Sequence, residues 1–399
     1  GPLTNFLSLN FWLVMFRYSK KNLNRILIDN SAKKTKEHID LGINWLLQNQ
    51  KNQPDNGIST QVIFNFGILK ATSSFPEVTG YLLETLFDYT SLFSKNRVFE
   101  AAIKAADFEL PLQFSNGAFP GGDISNPSGP NIFNTGQIVH GLIRAYKETN
   151  KEKYLNSCIK ACNWMCSVQE PNGSWKKYNY RNLDRTYDTK VSEAILEVAQ
   201  ITKNQNYISA AKKNIEWVLS NQKENGWFYN CDNTILRNDE PLLHLIGYTV
   251  EGLLACNKYL NDDIILNAAI LALDNLMHIT EVSKLPPKSR LDSNWKPKSN
   301  SFCVTGIAQI SIAWMLLYES TEKKKYLNTS LKVNDFLKSI QVNYIKNKKI
   351  NGILPSSYPF WGEYNSYSFN SWGLKYTLDA WMMEYKIKKN LLAKYEKRT

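Results

Sequence analysis

The sequence predicts an all-α protein, an (α/α)6 toroid in which six helical hairpins close into a ring. Three observations carry this reading. An apolar helical segment ending in Gln, a few polar residues and then Asn-Gly recurs along the chain. A second helical phrase follows each such turn, and its aligned glycine (lysine in one copy) advances by 56, 54, 57, 59 and 67 residues. Alternating β-patterns are short and scattered, so no sheet is expected to organise the molecule. A two-helix unit repeated at this period marks a repeat architecture.

In chain order, residues 1–34 read as a basic, partly apolar lead-in that packs on the ring or touches a membrane surface. Residues 35–399 read as the toroid. The first turn is Trp45-Leu-Leu-Gln48 with Asn56-Gly57. The next are Gln113 with Asn116-Gly117, Gln169 with Asn172-Gly173, and Gln222 with Asn225-Gly226. A degenerate copy stands at Asp292-Ser293-Asn294-Trp295, and the last joins Gln341 to Asn351-Gly352. Asn-Gly accepts the positive φ needed where a helix ends and the chain reverses. The second phrases open at Glu77-Val-Thr-Gly80, Asn134-Thr-Gly136, Asp188-Thr-Lys190, His244-Leu-Ile-Gly247, Val304-Thr-Gly306 and Ser371-Trp-Gly373. They begin the inner helices, and amphipathic segments such as 153–168 and 207–220 supply the outer ones.

Of the 399 residues, 43% are apolar and 21% charged, a globular balance. No stretch reaches the roughly 18 apolar residues of a membrane span, and residues 6–16 lack the flanks of a signal peptide. A net charge of +12 favours an anionic partner or membrane surface, and no nucleic-acid motif accompanies it. The 6 cysteines form no CxxC pair, which argues against a disulfide scaffold or structural zinc. Cys158, Cys162 and Cys166 repeat at helical spacing as small buried apolar residues. A reduced, cytoplasmic protein is expected, at the inner membrane face if the lead-in touches lipid. No cofactor motif is present, and none of the 4 histidines lies near a cysteine in sequence, so no metal site is expected.

The Gln…Asn-Gly-aromatic phrase resembles the repeats of terpenoid cyclases and prenyltransferase β-subunits, which are α/α toroids. The last third resembles something narrower. Phe302-Cys-Val-Thr-Gly306-Ile-Ala-Gln309, the run from Gly352 through Trp361-Gly-Glu-Tyr364, and Asn370-Ser-Trp-Gly-Leu-Lys375 are similar to an α/α-toroid family of bacterial surface-polysaccharide clusters. Some relatives of this architecture look like the catalytic domain of glucuronyl 5-epimerases or polysaccharide lyases. The resemblance implies an enzyme acting on an acidic surface polysaccharide or its lipid-linked oligosaccharide precursor. Its reaction would be that of a uronate epimerase or a lyase, by proton abstraction next to a carboxylate. A glycoside hydrolase, a terpenoid or prenyl-type enzyme and a non-catalytic glycan-binding assembly protein stand as alternatives. The Asp-rich motifs of terpene cyclases are absent, and the one adjacent Asp pair is Asp262-Asp263.

Aligning the six phrases exposes polar exceptions. One and four residues past the aligned position, Tyr81/Glu84, Gln137/His140 and Tyr248/Glu251 share one face of three inner helices. They form a polar cavity floor or a hydrogen-bonded structural belt. Lys190 replaces a glycine and follows Arg185, Tyr187 and Asp188, the last expected as an N-cap. The loop before it carries Tyr178, Tyr180 and Arg181, a mixture suited to sugar rings that bear carboxylates. A third cluster holds Trp361, Glu363, Tyr364, Asn370, Trp372 and Lys375. Proton abstraction next to a carboxylate needs a neutralising cation, a base and an acid. Arg185, Lys190 and Lys375 could neutralise; Tyr187, His244, Tyr248, Glu251 and Asp188 are the candidate acids and bases. Tyr178, Tyr180, Trp361, Glu363, Tyr364, Asn370, Trp372, Glu84 and His140 would contact substrate. A hydrolase would instead draw two carboxylates from Glu84, Asp188, Glu251 and Glu363.

Overall fold

The computed structural model describes residues 9–397. Six helices form an inner ring: α2 (Pro76–Phe93), α4 (Ile132–Thr149), α6 (Thr189–Thr202), α8 (Leu243–Leu260), α10 (Val304–Thr321) and α12 (Ser371–Lys397). Each packs on the next, and α12 packs back on α2. The outer ring is α1 (Leu9–Asn52), α3 (Asn96–Glu109), α5 (Glu152–Ser167), α7 (Gln205–Ser220), α9 (Asp263–Ser283) and α11 (Lys324–Ile340). The six predicted phrases each open an inner helix. Helix approach explains their small residues: a Cβ on Gly141 would stand 1.9 Å from the Gly80 carbonyl oxygen, a contact that no side chain can relieve.

The Gln…Asn-Gly phrase is a stitch between neighbouring units. Gln113 Nε2 donates to the Gly117 carbonyl at 2.9 Å and to the Ser157 carbonyl on α5 at 2.9 Å. Gln169 forks in the same way to Gly173 and Ala210, and Gln222 to Gly226 and Ala268. Each turn therefore holds its own end and grips the next outer helix. Gly117 has φ 97°, and a Cβ there would meet the Lys160 carbonyl oxygen at 2.2 Å, so only glycine fits. In the first unit the residue is Gln50, which reaches Asn56 and Ala101, and not Gln48, which reaches Asn52. The last stitch closes the ring: Gln341 donates to Gly352 and to His38 on α1.

No break separates a lead-in from the ring, because α1 runs 44 residues through position 34. Its second half is clamped by a buried carboxylate. Glu384 on α12 takes Lys338 at 2.5 Å, Lys388 at 3.0 Å and the Thr35 hydroxyl of α1 at 2.5 Å. Burial alone would raise this carboxyl, but Lys338 and Lys388 hold it below the usual range. Residues 6–8 of the apolar N-terminal stretch lie outside the described residues.

By length and hydropathy α9 matches a membrane span, contrary to the sequence expectation, yet it packs in the outer ring, where its Leu273 carbonyl accepts from Trp314. The strands are short and antiparallel. β1 (Gln61–Asn65) pairs with β2 (Ile68–Ala71) and with β7 (Ser368–Asn370). β3 (Pro120–Asp123) pairs with β4 (Asn126–Pro130), and β5 (Phe302–Cys303) with β6 (Ser357–Tyr358). All lie in the connections that enter inner helices, so they wall one end of the ring.

Candidate active site

At that end the inner-helix starts and the loops before them enclose a cavity of about 900 Å³. Its wall is set by one repeat position, three residues before the aligned glycine. Glu77, Phe133, Tyr187 and His244 hold that position in the first four units, and all four line the cavity. Glu77 on α2 and His244 on α8 belong to the first and fourth of six units and so face each other across the ring. Tyr81, Tyr248, Tyr364 and Trp372 complete an aromatic cup. The His244 ring lies 4.4 Å from that of Tyr248 and 5.8 Å from that of Tyr364, while Trp372 Nε1 donates to the Tyr364 hydroxyl at 2.7 Å.

Burial drives the two titratable groups apart. It raises Glu77 to about 8, so the carboxyl is protonated at neutral pH. It lowers His244 to about 4, the bond to Gln309 offsetting this only in part, so the imidazole is neutral. His244 Nδ1 donates to Gln309 Oε1 at 3.2 Å, which leaves Nε2 with a lone pair. One wall therefore offers a proton and the facing wall accepts one.

Cations stand at the rim. Arg290 and Arg237 line the cavity and flank Glu363, at 3.4 Å from Nε and 3.3 Å from Nη1. Arg290 also pairs with the buried Asp232 at 3.2 Å, and Arg237 pairs with Glu240. The backbone bridge between Leu242 and Arg290 brings the fifth unit's loop to the mouth of the fourth.

The three predicted neutralising cations lie elsewhere. Arg185 is buried, with its guanidinium on the Asp232, Asp184 and Thr234 carbonyls, where it fixes a loop. Lys190 and Lys375 sit beneath the aromatic cup, because partners one helical turn further on draw their ammonium groups down the axis. Lys190 meets Glu193 at 2.6 Å and Glu251 at 3.5 Å, and Lys375 pairs with Asp379. His140 joins this layer, its Nδ1 at 2.9 Å from Glu197 and its Nε2 donating to the Lys190 carbonyl at 2.8 Å. Burial opposes its protonation, but Glu197 and Glu193 carry it to about 9. Glu84 is held ionised against burial by Lys375 and His140. The aligned polar pairs thus split by height: Tyr81 and Tyr248 reach the cavity, while Glu84, His140 and Glu251, the last raised by burial, form a belt of ionisable groups below it. Gln137 is buried, its Nε2 donating to Phe133. His140, Glu193 and Glu197 have donor atoms within 4.8 Å of one another, a set that could hold a metal, although Lys190 and the imidazolium already supply its positive charge.

The remaining candidates separate similarly. Tyr180 lines the cavity, half exposed, with Arg181 over its ring. Tyr178 packs on Trp164 behind the wall. Asp188 stands at the start of α6 but makes no side-chain cap; it accepts from Asn179 Nδ2 at 2.6 Å, out of the cavity. Asn370 caps α12 by accepting from the Gly373 amide at 2.7 Å. Trp361 is exposed outside the rim. Sequence reasoning passed over Glu77, Arg237, Arg290 and Gln309. Glu77 could have been found, since it shares His244's place in the repeat.

No family model matches the chain, and no curated protein matches it in sequence. Solved structures do match. An unsaturated glucuronyl hydrolase specific for heparin aligns with TM-score 0.71 at 13% identity, over 89% of this chain and 98% of that one. Cellobiose 2-epimerase from Bacillus thermoamylovorans gives 0.71 at 11%, over 90% and 100%. An unsaturated glucuronyl hydrolase from Streptococcus agalactiae gives 0.65 at 13%, over 89% and 92%. The chain is thus an α/α toroid, similar in fold along most of its length to toroid enzymes whose names refer to carbohydrates.

Proposed function

We propose that this chain is a carbohydrate-active enzyme that inverts the carbon bearing the carboxylate of a uronic acid unit. The observation that carries the reading is the opposition of Glu77 and His244 at one repeat position, with protonation states already set for acid and base. A sugar ring held between them presents one face to each. Aromatic neighbours suit such a ring, and Asn126, Asn134 and Gln61 offer amides to its hydroxyls.

His244 Nε2 takes the proton from the carbon next to the carboxylate, and the bonding pair moves into the carboxylate as an enediolate. Arg290 and Arg237 hold that carboxylate in place of Glu363 and stabilise its added charge. Glu77 then delivers its proton to the opposite face, which inverts the centre. The imidazolium and the carboxylate regain their starting states by exchange with water. The same intermediate would serve a lyase if Glu77 protonated a leaving oxygen. Hydrolysis fits less well, since the second carboxylate of the cavity, Glu363, is engaged by two guanidiniums.

Incubation with uronate-containing oligosaccharides in heavy water, read by NMR, tests this. Deuterium at the inverted carbon without chain cleavage is the expected result. Cleavage to a product unsaturated at the carbon that lost its proton, which then carries no deuterium, means a lyase. Cleavage with neither unsaturation nor carbon-bound deuterium overturns the proton-abstraction reading.

A further inference from the structure

We propose that the cavity end of the ring docks on an anionic phospholipid surface, with the cavity opening toward the bilayer. The β1–β2 hairpin turns through Phe66 (φ 48°) and Gly67 (φ 77°) and projects Phe66, which is 96% exposed, with Ile68 beside it. This tip is braced by its neighbours. The Phe64 amide donates to the Tyr367 carbonyl at 2.9 Å, and Lys349 Nζ reaches the Leu69 carbonyl at 3.0 Å. Trp361 and Ile345, both exposed, stand in the last connection, which also supplies Tyr367 and Lys349 to the brace. Across the mouth, the fourth unit presents a second tip, Ile235 and Leu236, the latter 90% exposed. Its flanking residues Asn233 and Arg237 line the cavity, so both tips border one opening.

Two apolar tips on opposite sides of one mouth can both be met by a flat bilayer laid across it. Their chemistry selects lipid over glycan. Ile68, Ile235 and Leu236 have neither a flat face for a sugar ring nor a hydrogen-bonding group. Trp361 and Tyr367 suit the headgroup level. Exposed apolar surface of this kind on a folded chain marks an interaction site. Charge complementarity at the first tip supplies the sign: segments 56–75 and 342–362 contain Lys70, Lys346, Lys348 and Lys349 and no acidic residue but Asp55's neighbour-free run, while near the second tip Asp232 and Glu240 are paired with Arg290 and Arg237. Such lysines are drawn to anionic headgroups while the tips enter the acyl boundary. A second exposed apolar stretch, with Phe16 and Leu27, lies on the first half of α1, toward the end of that helix remote from the mouth. A flat surface engages one stretch or the other. The docking stands apart from the reaction class, because its test reads partition and not turnover.

Co-sedimentation with phosphatidylglycerol–phosphatidylcholine vesicles, against phosphatidylcholine alone, tests the surface. The full chain should bind the anionic vesicles, less so at high salt. The triple variant Phe66→Ser/Ile68→Ser/Leu236→Ser should bind at least about tenfold more weakly. So should Lys70→Glu/Lys348→Glu at low salt, while Phe16→Ser/Leu27→Ser should bind as the parent does. Circular dichroism and melting should be alike for all four proteins. Undiminished binding by both mouth variants overturns the proposal, as does loss confined to the α1 variant. Absence of vesicle binding by the full chain also overturns it, and a dimer in light scattering that the triple variant dissociates would then make the surface a protein interface.

Discussion

Glu77 and His244 show how a single repeat position can hold chemically opposite groups. The environment at the start of an inner helix is half-buried and short of countercharge, so it raises a carboxyl and lowers an imidazole alike. Activity should therefore need His244 neutral, above pH about 4, and Glu77 protonated, below pH about 8. A pH–rate profile that is broad and bell-shaped between those limits is expected. Glu77→Gln keeps the shape and removes the proton; kcat should fall about 10²–10⁴-fold, and the alkaline limb should vanish from the residual rate. Persistence of that limb would assign it to another group. At the rim, Arg237→Gln should weaken an acidic oligosaccharide by about 1.5–3 kcal/mol, the range for a charged hydrogen bond, and leave a neutral analogue unchanged in calorimetry. Arg185→Ala should act on loop stability and not on binding, since the side chain is buried and each of its three nitrogens donates to a loop carbonyl.

The stitch gives a motif recognised by repetition a physical reason. One amide satisfies its own turn and a carbonyl of the next outer helix, so a single side chain couples two hairpins. Gln222→Ala should cost about 1–3 kcal/mol in denaturant unfolding, whereas Gln48→Ala should stay within about 0.5 kcal/mol of the parent. A heavier loss is expected at the clamp. Glu384→Ala takes the shared carboxylate from two part-buried ammonium groups and should cost about 3 kcal/mol. Because the Glu384 carboxyl is depressed in the fold, its contribution is present above the unfolded carboxylate range and fades as pH falls through the folded value. These elements were legible because helix approach forces the same residues at each repeat: glycine at Gly80 and Gly136, Asn-Gly after each Gln. Of the site row only Tyr187 and His244 were legible; Glu77 and Phe133 were not, because the four residues share a position and no chemistry. Arg237 and Arg290 come from loops without a repeat pattern, joined by a backbone bridge that no spacing announces. Lys190 and Lys375 were read as cavity cations from their place near helix starts. Their partners one turn on, Glu193 and Asp379, decide otherwise.

At the scale of the whole molecule, the ring is held by contacts between its first and last units. His38 meets Gln341, Thr35 meets Glu384, and Trp45 Nε1 donates to the Lys349 carbonyl at 2.8 Å. Removing residues 1–27 should leave the melting transition nearly unchanged, while removal through residue 45 should abolish cooperative unfolding in calorimetry. This closure also has a consequence for synthesis. The partners of α1 across the seam lie some 300 positions later, |i−j| being 303 for His38 and Gln341 and 349 for Thr35 and Glu384. At about 5–20 residues per second the first helix leaves the ribosome at least 15 seconds or so before the last helix, its main packing partner, exists. The middle hairpins can pair with their neighbours as they emerge, but the seam must wait for the last helix. A nascent chain stalled short of α12 is therefore an open arc with two unpartnered edges, which cannot close within the chain and are left to join end to end with those of other chains.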